Sequence, residues 1–180
     1  SGAAAISKDG TGLLTLTESN IFTGSFTVEE GEMAITDDHA LGAPDGDTFI
    51  EGNGTLRLVN YVHVDDERLF LNSTATNPPG STIPRGALIS LNSNSWSGAV
   101  FLAKTAWVGV YTNSTLNING VINGLAGLTK SGPGLLVYSG TASNTYIGTT
   151  RVNEGTLLLA RSGPDNLSIP GALIVGDGLG

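Results

Sequence analysis

The stretch that decides the fold is TLNINGVINGLAGLTKSGPGLLVYSGTASNTYIGTTRVNEGTLLL, at residues 115–159. Apolar or small residues alternate with polar ones in it, and glycines separate the alternating segments. One face at period two takes Leu116, Ile118, Gly120 and Ile122, and the other takes Asn117, Asn119 and Val121. This alternation predicts short strands with one buried and one solvated face, and it does not fit the spacing of a helix.

The same pattern occurs earlier in the chain. The segment ISKDGTGLL at residues 6–14 aligns with LTKSGPGLL at residues 128–136, an offset of 122 residues. The segment NIFTG at residues 20–24 then aligns with NTYIG at residues 144–148, an offset of 124 residues. The sequence therefore predicts an internal repeat of short strands, which leaves a sandwich, a barrel and a β-solenoid open.

These residues resemble the autotransporter-associated β-strand repeat, or passenger-associated repeat, of bacterial surface proteins. The match runs through the Leu-Thr-Lys-Ser-Gly-Pro-Gly segment at 128–134, the Asn-Thr-Tyr-x-Gly segment at 144–148 and Gly155-Thr156-Leu157. The repeat positions carried over from the family are Lys8, Gly12, Asn20, Phe22, Gly24, Val28 and Gly31 in the first copy, and Lys130, Gly134, Asn144, Tyr146, Gly148, Val152 and Gly155 in the second.

The resemblance implies an all-β fold, a right-handed parallel β-helix, or β-solenoid. Its coils would contain roughly 20–25 residues and stack about 4.8 Å apart. We expect a single solenoid segment over residues 1–180, with a first repeat at about 5–59 and a second at about 115–180. Intervening coils and a projecting loop would occupy about 60–114.

Composition and charge narrow the classes of function. The chain has 16 acidic and 8 basic residues, a net charge of −8, and no Lys/Arg cluster that would neutralise phosphates, which argues against nucleic acid as a partner. It contains no cysteine for a disulfide or a thiolate metal site. It also has no apolar run of about 18 residues, so we expect no membrane insertion by this segment. Since it begins without methionine or a signal peptide, we expect a piece of a longer protein.

Alternation also predicts the core and the loops. The inward positions are predicted to be Leu14, Leu16, Phe26, Val28, Met33, Ile35, Leu136, Leu157 and Leu159. Residues 36–46, rich in Asp, Gly and Pro, are predicted to form a corner, with strands resuming at 49–50 and 55–59. Residues 72–86 contain three prolines and are predicted to project from the solenoid, because proline cannot donate within a central strand.

Acidic residues and histidines raise the alternative of a polysaccharide-degrading β-helix that uses calcium or paired carboxylates. Period two predicts that Asp65 and Glu67 share a strand face, and that carboxylates of the neighbouring corner come near them: Asp37, Asp38, Asp45 and Asp47. Turn formation and solvated charge explain these residues, a turn explains His39, and a solvent-facing strand position explains His63. The chain has no paired-carboxylate motif, no G-x-S-x-G and no H-E-x-x-H, so we assign no catalytic or metal-binding residue and no cofactor.

Aromatic side chains raise the possibility of a polysaccharide-binding module, because exposed rings can stack on sugars. The candidates are Trp96, Trp107, Tyr111, Tyr138 and Tyr146. Tyr146 and its counterpart Phe22 precede a glycine in the repeat, so we expect both to pack at corners. The pattern leaves the positions of Trp96 and Trp107 open.

Together these features predict a non-enzymatic structural segment of a bacterial extracellular or cell-surface β-helical rod, fibre or adhesin. The alternative is a polysaccharide-binding or polysaccharide-degrading β-helix. The expected partners are further copies or further repeats stacked head-to-tail, because open strand edges with apolar residues are predicted at both ends, Ile6 and Leu14 at one and Leu173 and Ile174 at the other. A surface glycan or a host ligand is the other class of partner that this function implies.

Overall fold

The described strands form a parallel β-solenoid with three faces. The computed structural model describes residues 4–73, 75, 86–163 and 166–176. Within these ranges there is no helix, and every strand pairs in parallel with a strand of at least one neighbouring coil. Parallel pairing between successive coils is the arrangement of a β-solenoid, so the predicted fold class is confirmed.

The three faces are defined by which strands stack. The first face stacks β1 (Ile6–Lys8), the first half of β3 (Phe26–Ile35), the first half of β4 (Asp47–Val59), β6 (Arg68–Leu71), β9 (Val100–Leu102) and β12 (Ile122–Gly124). The second face stacks β2 (Leu13–Leu16), the second halves of β3 and β4, β7 (Leu88–Leu91), β10 (Ala106–Val110), β13 (Leu128–Ser131), β15 (Thr150–Val152) and β17 (Leu173–Val175). The third face stacks β5 (His63–Val64), β8 (Ser93–Trp96), β11 (Thr115–Ile118), β14 (Leu135–Tyr138) and β16 (Thr156–Leu159).

Alternation along each strand builds the core. On the first face, Val28, Ile50, Leu71 and Leu102 are in register on four successive coils, and all four are buried. Each inward side chain therefore packs on the equivalent side chain of the coil above and below. The core is a set of apolar columns that run along the solenoid axis, and each new coil extends every column by one residue.

The two sequence repeats do not occupy the same faces. Strands β1 and β13 are equivalent in the repeat, yet β1 lies on the first face and β13 on the second. In the same way β2 lies on the second face, and its counterpart β14 lies on the third. The second copy is thus advanced by one face relative to the first, so the same sequence pattern builds different faces of the solenoid.

Most predicted core positions are buried. Phe26, Val28, Met33, Ile35 and Leu136 are buried, and Leu14, Leu16 and Leu157 are partly buried against the same core.

Leu159 was predicted to be a core residue, and its predicted burial was wrong. Leu159 aligns with the buried Tyr138, which puts it on the inward side, but it is 45% exposed. The reason is its place in the stack: β16 has no further strand over it on the third face within the described residues.

Loops and corners follow the sequence pattern in part. Residues 37–41 and 44–45 form the turns predicted in the 36–46 corner. Phe49-Ile50 and 55–59, predicted as two strands, belong to the single strand β4, which continues around the corner between the first and second faces. The loop predicted at 72–86 falls mostly outside the described residues.

Candidate functional site

The repeat lysines hold the corners together. The Lys130 ammonium donates to the carbonyl oxygens of Ser131 (3.0 Å), Gly132 (2.6 Å) and Glu154 (3.1 Å), the last on the next coil. Lys8 repeats this pattern with Asp9, Gly10 and Glu30 at 3.2, 2.5 and 2.8 Å. Each lysine therefore saturates its three donors on backbone carbonyls and ties one coil to the next.

The charge of Lys130 is retained despite its burial. Burial lowers the pKa of Lys130 to about 8, and the Glu154 carboxylate opposes that change. The ammonium is thus the main form at neutral pH, in a place where few lysines are found.

The repeat asparagines make a second tie between coils. Asn144 donates from its side-chain amide to the Ser168 carbonyl on the next coil (2.7 Å) and accepts from the Ile122 amide on the previous one (2.8 Å). Asn20 donates to the Ala40 carbonyl at 2.8 Å. An amide side chain suits this place because it can donate in one axial direction and accept in the other.

The repeat glycines lie where coils approach closely. Gly31 and Gly155 have positive φ, 73° and 67°. A Cβ on Gly155 would lie 2.5 Å from the Gly132 carbonyl oxygen, and one on Gly31 would lie 2.5 Å from that of Gly10. Both positions thus require glycine for conformation and for space.

Two further pairs of repeat glycines differ in their surroundings. A Cβ on Gly24 would lie 2.2 Å from the Ala4 carbonyl oxygen, and one on Gly148 would lie 2.2 Å from the Gly127 nitrogen. A Cβ on Gly134 would lie 2.1 Å from the Tyr111 carbonyl oxygen, whereas one on Gly12 would meet nothing within 4 Å. Gly12 lies on the first described coil, which explains the free space beside it.

The remaining repeat positions belong to the core. Val28 and Val152 are buried on inward positions. Tyr146 is fully buried and its hydroxyl bonds to that of Thr150, while Phe22 is partly buried against the core and lies 6.0 Å from Phe26 between ring centroids. Both aromatic side chains therefore pack against the core just before the repeat glycines Gly24 and Gly148.

Most of the candidate sugar-stacking aromatics are not available to a ligand. Trp96, Tyr138 and Tyr146 are fully buried, and the Trp96 indole donates to the Glu67 carbonyl at 2.9 Å. Trp107 and Tyr111 are half-buried, so part of each ring reaches the surface. Of the five aromatic residues that the sequence suggested for sugar stacking, only Trp107 and Tyr111 therefore have ring surface that a sugar could reach.

The paired-carboxylate hypothesis was wrong in its geometry. Asp65 is exposed and Glu67 is 4% exposed, and Asp66 between them has a positive φ of 58°. The chain turns at this point, so period two does not apply and the two carboxylates do not share a strand face. They therefore do not form the pair that acid–base hydrolysis of a glycoside needs.

Glu67 is instead a buried acid at a corner. Its carboxylate accepts a hydrogen bond from the Thr48 hydroxyl at 2.7 Å. Burial raises the pKa of the Glu67 carboxyl from 4.5 to about 7, with Thr48 and Arg68 opposing the change and Asp47 adding to it. Sequence reasoning named Glu67 but missed its burial, because the acidic run was interpreted as solvated charge. The signal would have been its place in the stack, since Gly98 of the next coil lies directly against the Glu67 backbone.

The histidines occupy the predicted positions. His39 lies in the turn at 37–41, and His63 is an exposed residue of β5 whose ring bonds to the Ser95 hydroxyl at 2.8 Å. The His63 amide also donates to the Asp38 carboxylate at 2.6 Å. Within the described ranges no three histidine or acidic side chains come together in a group that could hold a metal ion.

Apolar surface is exposed at the last described coil. Leu173, Ile174 and Val175 of β17 are exposed, and so is Leu159 of β16. A cavity of about 200 Å³ lies among Val152, Gly155, Thr156, Leu157, Leu159, Leu173 and Val175. This surface has the parallel edge and the apolar columns that a further coil would continue.

Comparison with known proteins was made on sequence and on structure. The family model of the passenger-associated-transport-repeat matches residues 6–35 and 128–159. The chain is 30% identical over 174 residues to the adhesin BmaC autotransporter of Brucella suis biovar 1 (strain 1330). That alignment takes in 96% of this chain and 4% of the relative. No solved structure matches.

Over the part of the chain that the structure describes, no helix has the length and apolar character needed to cross a membrane. The two matched segments coincide with the two copies of the internal repeat, and the corner lysines, asparagines and glycines lie within them. The chain thus carries two segments that match the passenger-associated-transport-repeat.

Proposed function

We propose that this chain is a structural, non-enzymatic segment of a β-helical rod, fibre or adhesin outside a bacterial cell, at the surface or released from it. The observation that carries the proposal is the column structure of the solenoid, in which each coil extends the apolar columns and both repeat copies supply the same lysine and asparagine ties. Such a fold gains length at a constant cost for each coil, which suits a part that spaces or presents other parts. The similarity to an adhesin of far greater length supports this role.

In this proposal residues 1–180 form a single solenoid segment. The first repeat is at about 5–59, the second is at about 115–180, and the coils between them complete the stack. The repeat positions act at the corners: lysine and asparagine tie coils together, glycine permits close approach, and the aromatic residue fills the corner. These are structural roles, so the positions take part in no chemistry.

The partners of this segment are, in the same proposal, further repeats stacked at its ends. The exposed Leu159, Leu173 and Val175 at the last described coil support this, because they are inward positions without a covering coil. A heterologous contact of this kind does not close on itself and gives an extended assembly. A glycan or host ligand would then be presented with, or bound along, the rod.

The experiment uses intact cells that express the parent protein. An epitope tag at the exposed Leu125 turn should be accessible to antibody and to added protease without permeabilising the cells. A cytoplasmic tagged protein in the same cells serves as the control for leakage. Reactivity of the tag only after permeabilisation would contradict the proposal, and so would turnover of pectin or alginate by the purified chain.

A further inference from the structure

We propose that the flank of the solenoid between its first and second faces is a binding site for an acidic oligosaccharide, with Arg151 as the residue that holds the anionic group. The site is a groove of about 340 Å³. The side chains on which the inference rests are those of Thr105, Leu125, Thr129, Thr149, Arg151 and Ile174. This volume is within the range of pockets that take small ligands, which is roughly 300–1,000 Å³.

The groove is built by four successive coils. Trp107, Thr129, Arg151 and Ile174 are in register on β10, β13, β15 and β17, and they point outward because their neighbours along each strand point inward. Thr129 is only 5% exposed, as expected for a small side chain between two large ones. Leu125, 81% exposed, forms the apolar wall at the corner. The outward row thus combines an aromatic ring, a hydroxyl, a cation and an aliphatic side chain.

Arg151 is free to take a ligand. Among the described residues, its guanidinium forms neither a hydrogen bond nor an ion pair, in contrast to Arg57, which pairs with Glu32 at 2.7 Å, and Arg68, which pairs with Asp47 at 2.6 Å. A guanidinium presents two parallel donors to a carboxylate or sulfate, so an anionic substituent of a sugar is its natural partner.

Charge along the chain favours an anion at this place. No Asp or Glu occurs between Glu67 and Glu154, although the whole chain has 16 acidic residues. Five of the eight basic residues lie in that interval, Arg151 and the exposed Lys104 among them. Residues 68–153, which contain all of these groove residues except Ile174, therefore carry a net charge of +5 in a protein whose net charge is −8. This segregation attracts an anionic ligand to the groove and away from the first coils.

The chemistry of the groove favours a sugar over an acidic peptide. The backbone groups of β13 and β15, which form the middle of the groove, are paired with the coils above and below, so a peptide cannot add to these strands. Recognition must come from side chains, and threonine hydroxyls both donate and accept, as sugar hydroxyls do. The part of the Trp107 ring that reaches the surface supplies an apolar platform at one end of the row.

Isothermal titration of the purified chain tests the site. The probes are a galacturonate hexamer, a sulfated dextran oligosaccharide, a neutral maltohexaose and a poly-glutamate peptide of matched charge. We expect one of the two acidic sugars to bind, and the Arg151→Gln variant to bind it at least about tenfold more weakly, as expected for loss of a charge-assisted pair. The two acidic sugars distinguish a carboxylate from a sulfate as the anionic group.

Lys104→Gln is the matched control, because it removes the same charge from an exposed side chain beside the groove. Its affinity should change less than about threefold, because Lys104 does not line the groove and salt screens an exposed charge. An equal loss in both variants would show non-specific attraction and overturn the site. Binding of poly-glutamate with the same dependence on Arg151, or no binding of either acidic sugar, would also overturn it.

Amide chemical shifts of the unmodified chain keep the test independent of how the variants fold. Bound sugar should shift the resonances of Thr105, Thr129 and Thr149, and shifts confined to other faces would contradict the proposal. The site belongs to the folded chain itself. Failure to bind sugar therefore leaves the rod proposal intact, and a cytoplasmic location leaves the groove intact.

Discussion

At the scale of single residues, the buried carboxyl of Glu67 makes stability depend on pH. Its pKa in the folded chain is about 7 against 4.5 for the free group, so between these values the folded state binds more proton than the unfolded state. The contribution of the Glu67 carboxyl to the free energy of unfolding is therefore fully present below pH 4.5 and is lost as the pH rises through 7. The loss is at most about 3.5 kcal/mol, from about 1.4 kcal/mol for each pKa unit.

The Glu67→Gln variant should remove this dependence, because the amide keeps the acceptor for the Thr48 hydroxyl and carries no charge. The measurement is urea unfolding at pH 5 and at pH 8. The variant should gain stability over the parent at pH 8 and show little difference at pH 5. Asp65→Asn, at an exposed position, is the control, and the prediction fails if it changes the pH profile as much as Glu67→Gln does.

The corner lysine gives a second prediction at this scale. Lys130→Met should destabilise the chain by about 2–3 kcal/mol, because it removes the lysine donor from three carbonyl groups, of which those of Ser131 and Gly132 belong to buried residues. Lys104→Met is the matched control at an exposed position and should change stability by less than about 0.5 kcal/mol. Thermal and urea unfolding measure both. Equal stability of the two variants would contradict the structural role of the repeat lysine.

At the scale of elements, Gly12 and Gly134 are equivalent in the repeat, but a neighbouring coil approaches closely only at Gly134. Gly134→Ala should cost about 1–3 kcal/mol, because its Cβ would lie 2.1 Å from the Tyr111 carbonyl oxygen, which belongs to a neighbouring coil. Gly12→Ala should be neutral or stabilising by up to about 1 kcal/mol, because nothing lies within 4 Å and the change reduces the entropy of the unfolded chain. Unfolding in urea compares the two variants, and equal losses would contradict the assignment of free space at Gly12.

Sequence predicted the elements well where alternation and repetition carry the information. The strands around Leu116 and Ile118 follow from period two, and the resemblance of the repeat to a known family pointed to a solenoid. Three features of the structure could not be predicted from the sequence. The path through Asp66 turns a strand pattern into a corner and buries Glu67. The advance of the second copy by one face depends on the lengths of the coils between the copies.

The third feature is the groove, whose residues are separated in sequence by a whole coil. Thr129, Arg151 and Ile174 become neighbours only through the register of β13, β15 and β17. No local motif contains them, so a reading along the chain does not bring them together. A sequence derivation would need the register of each coil before it could find such a row.

At the scale of the whole molecule, the chain spans about 4% of the length of the adhesin that it resembles, and its last described coil exposes inward positions. In the proposed rod, further coils cover both ends. Those coils would bring a backbone against Gly12 in the way that the Tyr111 segment lies against Gly134. The environment of one residue therefore reports whether the stack continues.

The effect of Gly12→Ala on stability should then depend on whether preceding coils are present. In the 180-residue chain it is expected to be neutral or slightly stabilising, and in a longer chain that includes the preceding coils of the parent it should cost about 1–3 kcal/mol, since the added Cβ would meet the new coil. Gly134→Ala should cost the same in both chains, because its neighbouring coil is already present. Urea unfolding of the four proteins, with far-ultraviolet circular dichroism as the probe, measures the changes. If Gly12→Ala stays neutral in the longer chain, no coil stacks on the first one and the rod does not extend in that direction.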